Sequence, residues 1–460
     1  MLDLARFTAF FSALNGVEPY PWQRALAQRV AETGRWPDIA APTGAGKSSV
    51  IDIHVFLVAE HAAGRLATRP PRRLVLVAPR RVLVDDQHDR ALAISARLRE
   101  AADGPLRDVA TALAALRTAS DERGPLPVWK LRGGILLDHG WRLDPSACQV
   151  ICATPQMWGS RILLRGYAAT RRSRNLEAGL LGHDAVAIVD EAHLHRRLVE
   201  TARRLAEPSE TSLQVVAMSA TQPPTEGQAG IGPDDLADPA LARRVTAGKR
   251  VRRVDGVKAK GLAKAVVEQA EALAGDGTVG VFVNDVPTAL EVASQLPGTV
   301  ELVCGRLRPA DVARLRERRP TLLTPEGDDG VDFLVSTQSL EVGVDLDLAA
   351  MVSVLAPAPA LAQRAGRLNR SGSRSESTFA VVVPDDLRAA AGPYPVAELE
   401  RALDWLERLG GSISPQAVLA SEPPLPERPP LPALRPPDLA TLAMTSDAQG
   451  ADPDPALYLE

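Results

Sequence analysis

Between residues 73 and 221 the chain alternates short, nearly unbroken apolar runs with longer stretches of helical spacing. RLVLVAP, CQVICAT, AVAIVDEAH and LQVVAMSAT are rich in β-branched residues and almost wholly apolar. A strand wet on one face would alternate apolar with polar. Runs without alternation suit strands covered on both faces, as in a parallel sheet flanked by helices. Between the first two runs, RALAISARLREAADGPLRDVATALAALRTAS repeats Ala and Leu in the manner of helices. The pattern predicts an α/β domain with a doubly wound sheet over residues 1–222.

The same grammar returns later. TVGVFVN, TVELVC, DFLVST, MVSVLAP and STFAVVVP read as strands, and VPTALEVASQL and ALAQRAGRLNR as helices, giving a second α/β domain at 256–410. The stretch between them, 223–255, carries Pro, Gly and charge and reads as a linker. Past 410, SEPPLPERPPLPALRPPD is proline-dense, which favours an extended strap across a surface. Residues 411–460 are therefore a separate extension, the start of a C-terminal accessory region.

Bulk composition narrows the classes. A content of 45% hydrophobic and 24% charged residues is that of a globular chain. No apolar run approaches the ~20 residues of a membrane span. The N-terminus carries Asp3 and lacks a basic leader and a small-residue cleavage site, so a cytoplasmic location without a membrane partner is expected. A net charge of −4 argues against coating nucleic acid by bulk positive charge, but arginines cluster at 71–73, 80–81, 171–174 and 364–370. The cluster at 171–174 reads as solvated surface. Cys148 and Cys152 share one face of a strand by their period and read as core residues, with no disulfide framework or metal site expected.

Two segments carry chemistry. APTGAGKSS (41–49) lies between an apolar run and a helical stretch, where unpaired N–H groups and the positive end of the helix dipole attract an anion. Gly44 and Gly46 let the backbone curl around it. Lys47 can reach the β- and γ-phosphates and Ser48 has the hydroxyl needed on Mg²⁺. Ala41 stands where the usual pattern has glycine. The second segment is DEAH (190–193), which places two carboxylates at the C-terminal edge of a strand, where α/β sheets bind ligands. Asp190 suits the Mg²⁺ water shell and Glu191 the polarisation of an attacking water. Loop and acid pair together point to hydrolysis of a nucleoside triphosphate.

An ordered series over residues 20–370 resembles the superfamily 2 helicases of the DEAD/DEAH type. YPWQ is similar to the family's adenine-reading segment, with Gln23 on the base edge and Tyr20 or Trp22 to stack. The family's own phosphate loop often has Ala where Ala41 stands. The loop implies nucleotide contacts from Thr43, Gly44, Ala45, Gly46, Lys47, Ser48 and Ser49. VAPRR (77–81) and ATPQ (153–156) resemble segments that touch the nucleic-acid backbone, and SAT (219–221) the one that links hydrolysis to domain movement. VFVN (281–284), STQSLEVGVDLD (336–347) and QRAGRLNR (363–370) resemble the second-domain motifs.

The resemblance implies two tandem RecA-like domains with ATP between them. Arg367 and Arg370, three apart on an expected helix, would act as arginine fingers with Gln363 in the phosphate network. Gly343 and Asp345 would line the cleft. Arg80, Arg81, Thr154, Asn284 and Thr337 would hold the backbone of single-stranded DNA.

The combination of EVGVDLD, QRAGRLNR, YPWQ and VDEAHL most resembles the helicase portion of the helicase-nuclease of type I CRISPR systems, and the tail resembles subtype I-G (formerly I-U). That resemblance implies an RNA-guided surveillance complex as recruiting partner and 3′-to-5′ travel on DNA. The pairs His88–Asp89 and His183–Asp184 are embedded in the α/β pattern, so the nuclease is expected on a further C-terminal part or a separate chain. An RNA helicase, a restriction-type DNA motor and an ATP-gated clamp that does not travel fit the shared motifs as well.

Overall fold

The computed structural model describes residues 2–459 except 43, 120, 208–211, 221–226, 276, 306, 342–343, 427–432 and 445–453. Seven strands form the first sheet: β1 (Ile39–Ala40), β2 (Arg73–Val77), β3 (Val128–Leu131), β4 (Gln149–Ala153), β5 (Ala185–Asp190), β6 (Leu213–Ser219) and β7 (Ala229–Gly230). Their spatial order is β3-β4-β2-β5-β6-β1-β7, and every neighbouring pair runs parallel.

The unbroken apolar runs have the predicted cause. Leu74, Leu76, Val150, Cys152, Val186 and Ile188 point into one layer. Val75, Val77, Ile151, Ala153, Ala187 and Val189 point into the other. With period two along each strand, both faces are covered by helices and no position is left for a polar residue. Cys148 and Cys152 are buried in this core, as their period on one face implied.

Six strands form the second sheet: β8 (Gly248–Val257), β9 (Val279–Phe282), β10 (Val300–Val303), β11 (Phe333–Ser336), β12 (Ala350–Val354) and β13 (Glu376–Pro384). They too are all parallel, in the order β10-β11-β9-β12-β13-β8. Two doubly wound parallel sheets confirm the fold class. Among the described residues no helix is long and apolar enough to cross a membrane.

Two expectations change. The stretch 223–255 is not a free linker. Its β7 extends the first sheet, and its helix Pro239–Val245 buries Leu241 and Val245 in the first core. Residues from 248 onward form β8, the edge of the second sheet. That edge strand interleaves Val251, Val254 and Val257, which pack against the second core, with charged residues, and so mixed a run reads as polar linker in a sequence.

The extension after 410 divides as well. Ile413 and Val418 join the second core. Leu434, Leu442 and Leu459 are buried instead in the first domain, in the layer under β4 and β5. Thr201 Oγ1 donates to the Tyr458 carbonyl at 2.8 Å and Arg165 Nη2 to that of Thr441 at 3.2 Å. A Cβ added at Gly159 would lie 2.4 Å from Leu459 Cδ2, so glycine there admits the closing leucine. The chain thus visits the first domain, then the second, then the first again. Leu459→Ala is expected to lower stability by about 2–3 kcal/mol through the cavity it leaves, as measured by urea denaturation.

Candidate active site

The phosphate loop leaves β1 at Ala40, is tied to β6 by Ala41 N–H donating to the Ser219 carbonyl at 3.1 Å, and enters the helix Val50–Ala62 through a tight turn at Lys47–Ser49. Gly44 and Gly46 have φ of +87° and +79°, a region costly for residues with a Cβ. Thr43 lies outside the described residues. Lys47 Nζ donates to the Ala41 carbonyl at 3.0 Å, folded back along its own loop. Burial lowers the Lys47 pKa, while Glu191 and Asp190 counter that shift.

Gln23 departs from expectation. Its Oε1 accepts from Tyr20 N–H at 2.8 Å, and its Nε2 donates to the Gly46 carbonyl at 3.1 Å and to Ser49 Oγ at 2.9 Å. Trp22 Nε1 donates to the Ala45 carbonyl at 3.0 Å and is buried, so it offers no stacking face. These side chains brace the loop from behind. Ala45 and Ser49 are buried on that same side, and none of the four reaches the cleft, whereas Gly44, Gly46, Lys47 and Ser48 line it.

Asp190 ends β5, and Glu191 follows with φ 48° and ψ 47°, a left-handed conformation unusual for glutamate. Strain of this kind costs of order 1–3 kcal/mol and concentrates at functional sites. Here it turns the second carboxylate out of the strand direction, with Asp190 Oδ1 accepting the Glu191 N–H at 3.0 Å. Burial, and next the Glu191 charge, raise the Asp190 pKa to about 6 against the pull of Lys47.

The opposite wall comes from the second domain. The helix carrying Gln363 ends at Ala365, so Arg367 and Arg370 are not on a helix as the spacing implied. Leu348 N–H donates to the Arg367 carbonyl at 2.8 Å and Asn369 N–H to that of Leu348 at 3.0 Å, with Asn369 at φ 41°. This short backbone pairing, not helical pitch, sets the two arginines toward the cleft. Arg367 Nη2 donates to the Glu341 carbonyl at 3.1 Å, and burial followed by the nearby Arg370 charge pushes its pKa below the usual arginine value. Arg370 pairs with Asp345 through Nε, and its N–H donates to Asp347 Oδ1 at 2.7 Å. Gly343 lies outside the described residues.

Lys47, Ser48, Asp190 and Glu191 from the first domain thus face Gln363, Arg367, Arg370 and Asp345 from the second across one cavity of about 460 Å³.

The expected nucleic-acid residues fare differently. Arg81 is exposed, alongside Gly133 and Gly134. Arg80 reaches across the cleft, donating to the Gln338 carbonyl and facing Glu341 Oε2 at 3.6 Å. Thr154 and Thr337 are buried. Asn284 is buried too, its Nδ2 donating to the carbonyls of Leu355 at 2.7 Å and Ala390 at 2.6 Å while its Oδ1 accepts from Arg364 at 3.0 Å. The side chains of these three serve the fold. The structure adds Arg364, Glu341, Asp347 and Arg244 to the site's surroundings. Arg364 sits within QRAGRLNR and could have been suspected there; Arg244 lies in the stretch read as linker.

Comparison with known proteins places this geometry. Residues 20–228 match the DEAD/DEAH box helicase model, and residues 275–373 match the model of the C-terminal part of the CRISPR-associated nuclease/helicase Cas3. The CRISPR-associated helicase Cas3 of Thermoproteus tenax is 28% identical over 292 residues, covering 62% of this chain and 47% of that protein. Among solved structures, T. fusca Cas3 with AMPPNP superposes with a TM-score of 0.62 at 19% identity, covering 90% of this chain and 52% of that one. A chain of a CRISPR RNA-guided surveillance complex in its pre-nicking state gives a TM-score of 0.53 at 19% identity, covering 88% and 50%. The chain spans about half the length of each. The two parallel sheets share the tandem RecA-like fold of the solved Cas3 structure, with the two family models matching the first and the second sheet's regions in turn.

Proposed function

We propose that this chain, a DEAD/DEAH helicase of the Cas3 type, is an ATP-driven motor on single-stranded DNA that serves type I CRISPR interference. The observation that carries the reading is the shared cavity, with a phosphate loop and acid pair on one wall and two arginines on the other. Helix N-terminus, Lys47 and the curled backbone at Gly44 and Gly46 would hold the triphosphate. Ser48 and Asp190 offer hard oxygen donors, too few for a permanent metal but suited to Mg²⁺ that arrives with the nucleotide. When bound, Mg²⁺ would neutralise charge on the β- and γ-phosphates. Glu191 would orient the attacking water and take its proton as the oxygen bonds to the γ-phosphorus and the bond to the β–γ bridging oxygen breaks, releasing ADP. Arg367 and Arg370 would offset the charge spreading over the γ-phosphoryl oxygens.

Because the two walls belong to different domains, hydrolysis would change how the domains meet and step a strand held by both. Arg81 and the backbone around Thr154, Thr337 and Asn284 would grip its phosphates, which carry no sequence information. A surveillance complex with a similarly folded chain supports the RNA-guided complex as partner. The accompanying nuclease would lie on a further part of the protein or another chain, since among the described residues neither His–Asp pair stands in a group of three or more His, Cys, Asp or Glu that could hold a metal. His88 Nδ1 faces its neighbour Asp89 at 3.3 Å, and Asp184 pairs with Arg72 at 2.6 Å and Arg69 at 3.3 Å.

The test is Mg²⁺-dependent ATP hydrolysis with and without single-stranded DNA or RNA. Stimulation by DNA supports the motor, stimulation by RNA alone moves it to the RNA helicases, and hydrolysis without strand displacement makes it a clamp. Glu191→Gln is expected to lower turnover by about 10²–10⁴-fold while a fluorescent ATP analogue still binds.

A further inference from the structure

Arg244 has a place in the cleft that no motif assigns. It is carried by the helix Pro239–Val245, capped by Asp238, whose Oδ1 accepts from Ala240 N–H at 2.9 Å and Leu241 N–H at 3.0 Å. Leu241 and Val245 anchor that helix in the first core, so Arg244 rides with the first domain although β8 of the second begins shortly after it.

Its guanidinium lines the same cavity as Lys47, Arg367 and Arg370, and Nη1 donates to the Gly44 carbonyl at 3.0 Å. A Cβ built on Gly44 would lie 3.8 Å from the Arg370 carbonyl oxygen, 3.9 Å from Arg370 Cγ and 4.0 Å from Arg244 Cδ. Gly44 is therefore pinched between two arginines, one from each domain. The pinch is set by backbone. At Gly372, with φ +69°, a Cβ would stand 2.2 Å from the Arg243 carbonyl oxygen, so the loop that follows Arg370 rests on the chain beside Arg244.

Arg370 has Asp345 as counter-ion and Arg90 has Asp52, at 2.7 Å. Arg244 has no carboxylate in ion-pair range among the described residues, only the Gly44 carbonyl. A half-buried guanidinium beside a second one, facing a phosphate loop and lacking an acid, is a site for an anion.

We propose that Arg244 is a phosphate-positioning residue, holding the terminal phosphate of a bound nucleoside triphosphate from the first-domain side. This rests on reading the cleft as the ATP site. Its neighbours fix which phosphate. Arg370 lies across Gly44 from it, whereas the turn at Lys47–Ser49 and the helix behind serve the inner phosphates. Arg367 and Arg370 travel with the second domain and act when the cleft closes. Arg244 stays with the loop and acts before closure, so it governs affinity for the triphosphate more than the rate of its hydrolysis.

The experiment measures binding of fluorescent ADP and of a non-hydrolysable ATP analogue, with steady-state hydrolysis, for the full chain and for Arg244→Ala, Arg244→Lys and Arg367→Ala. Circular dichroism and thermal melting verify that each variant is folded. Arg244→Ala is expected to weaken the analogue about tenfold or more and to raise KM alike, with much smaller changes in ADP affinity and kcat. Arg244→Lys recovers part of the loss, and Arg367→Ala shows the opposite split. Equal weakening for ADP and the analogue would reduce Arg244 to a brace on the Gly44 carbonyl and overturn the proposal, as would no change in either. Wild-type protein that binds neither nucleotide removes the ATP reading itself, and this inference with it.

Discussion

Arg367→Ala is expected to lower the maximal rate of ATP hydrolysis by about 10³-fold or more while leaving nucleotide binding within a fewfold of wild type. The side chain is buried on the second-domain wall, its Nη2 held by the Glu341 carbonyl at 3.1 Å. Burial costs a guanidinium its hydration, and the nearby Arg370 makes that worse. Such a group is placed at a cost to the empty protein and is relieved by negative charge opposite it. That charge is greatest as the γ-phosphoryl group transfers, so the interaction strengthens along the reaction and its loss appears in kcat. Arg367→Lys keeps the charge but cannot reproduce the planar fork, and it should recover only a small part of the rate. Single-turnover hydrolysis at saturating ATP checks the prediction; a variant that turns over near the wild-type rate would remove Arg367 from the transition state.

Glu341→Ala is expected to destabilise the second domain by about 3–5 kcal/mol. Glu341 is 4% exposed and Arg364 is fully buried, and Oε1 accepts from Arg364 Nε at 2.9 Å and Nη2 at 2.7 Å. The rest of the guanidinium is met by Ser353 Oγ at 2.7 Å, the Val354 carbonyl at 3.2 Å and Asn284 Oδ1 at 3.0 Å. None of these carries charge. Removing the carboxylate leaves a cation in the core with dipoles alone around it. Replacing both partners by apolar residues of like volume, Glu341→Leu with Arg364→Met, removes the stranded charge and should restore most of the stability. The denaturant midpoints of the single and double variants decide it. A double variant as unstable as Glu341→Ala would show that packing, not charge, holds this layer.

How much of this was legible in the sequence depended on how completely each element is covered. β2, β4 and β5 show as unbroken apolar runs because helices shield both faces. β3, at the sheet edge, is half-exposed at alternate positions, and VWKL passes for loop. β8, also at a sheet edge, mixes three valines among charged residues and passes for linker. In the site, Lys47, Ser48, Asp190, Glu191, Arg367 and Arg370 were legible because the chemistry dictates their types and order. Gln23, Asn284, Thr154 and Thr337 belong to segments just as recognisable, yet their side chains face inward. A motif identifies a stretch of backbone; which atoms of it face the ligand depends on packing that spacing does not encode. Arg244 was hidden differently, since its neighbourhood exists only once the chain between the domains has folded against both.

The return of residues 434–459 to the first domain has a consequence for synthesis. Leu459 seats against Gly159, and the hydrogen bonds joining Thr201 to Tyr458 and Arg165 to Thr441 span sequence separations of 257 and 276 residues. At ribosomal rates of 5–20 residues per second, that separation is on the order of tens of seconds. Throughout that time the first domain has its sheet but lacks the leucines that close one of its layers. Emerging chains must carry an apolar scar until this turn arrives, so the first domain is closed only after the second has been made.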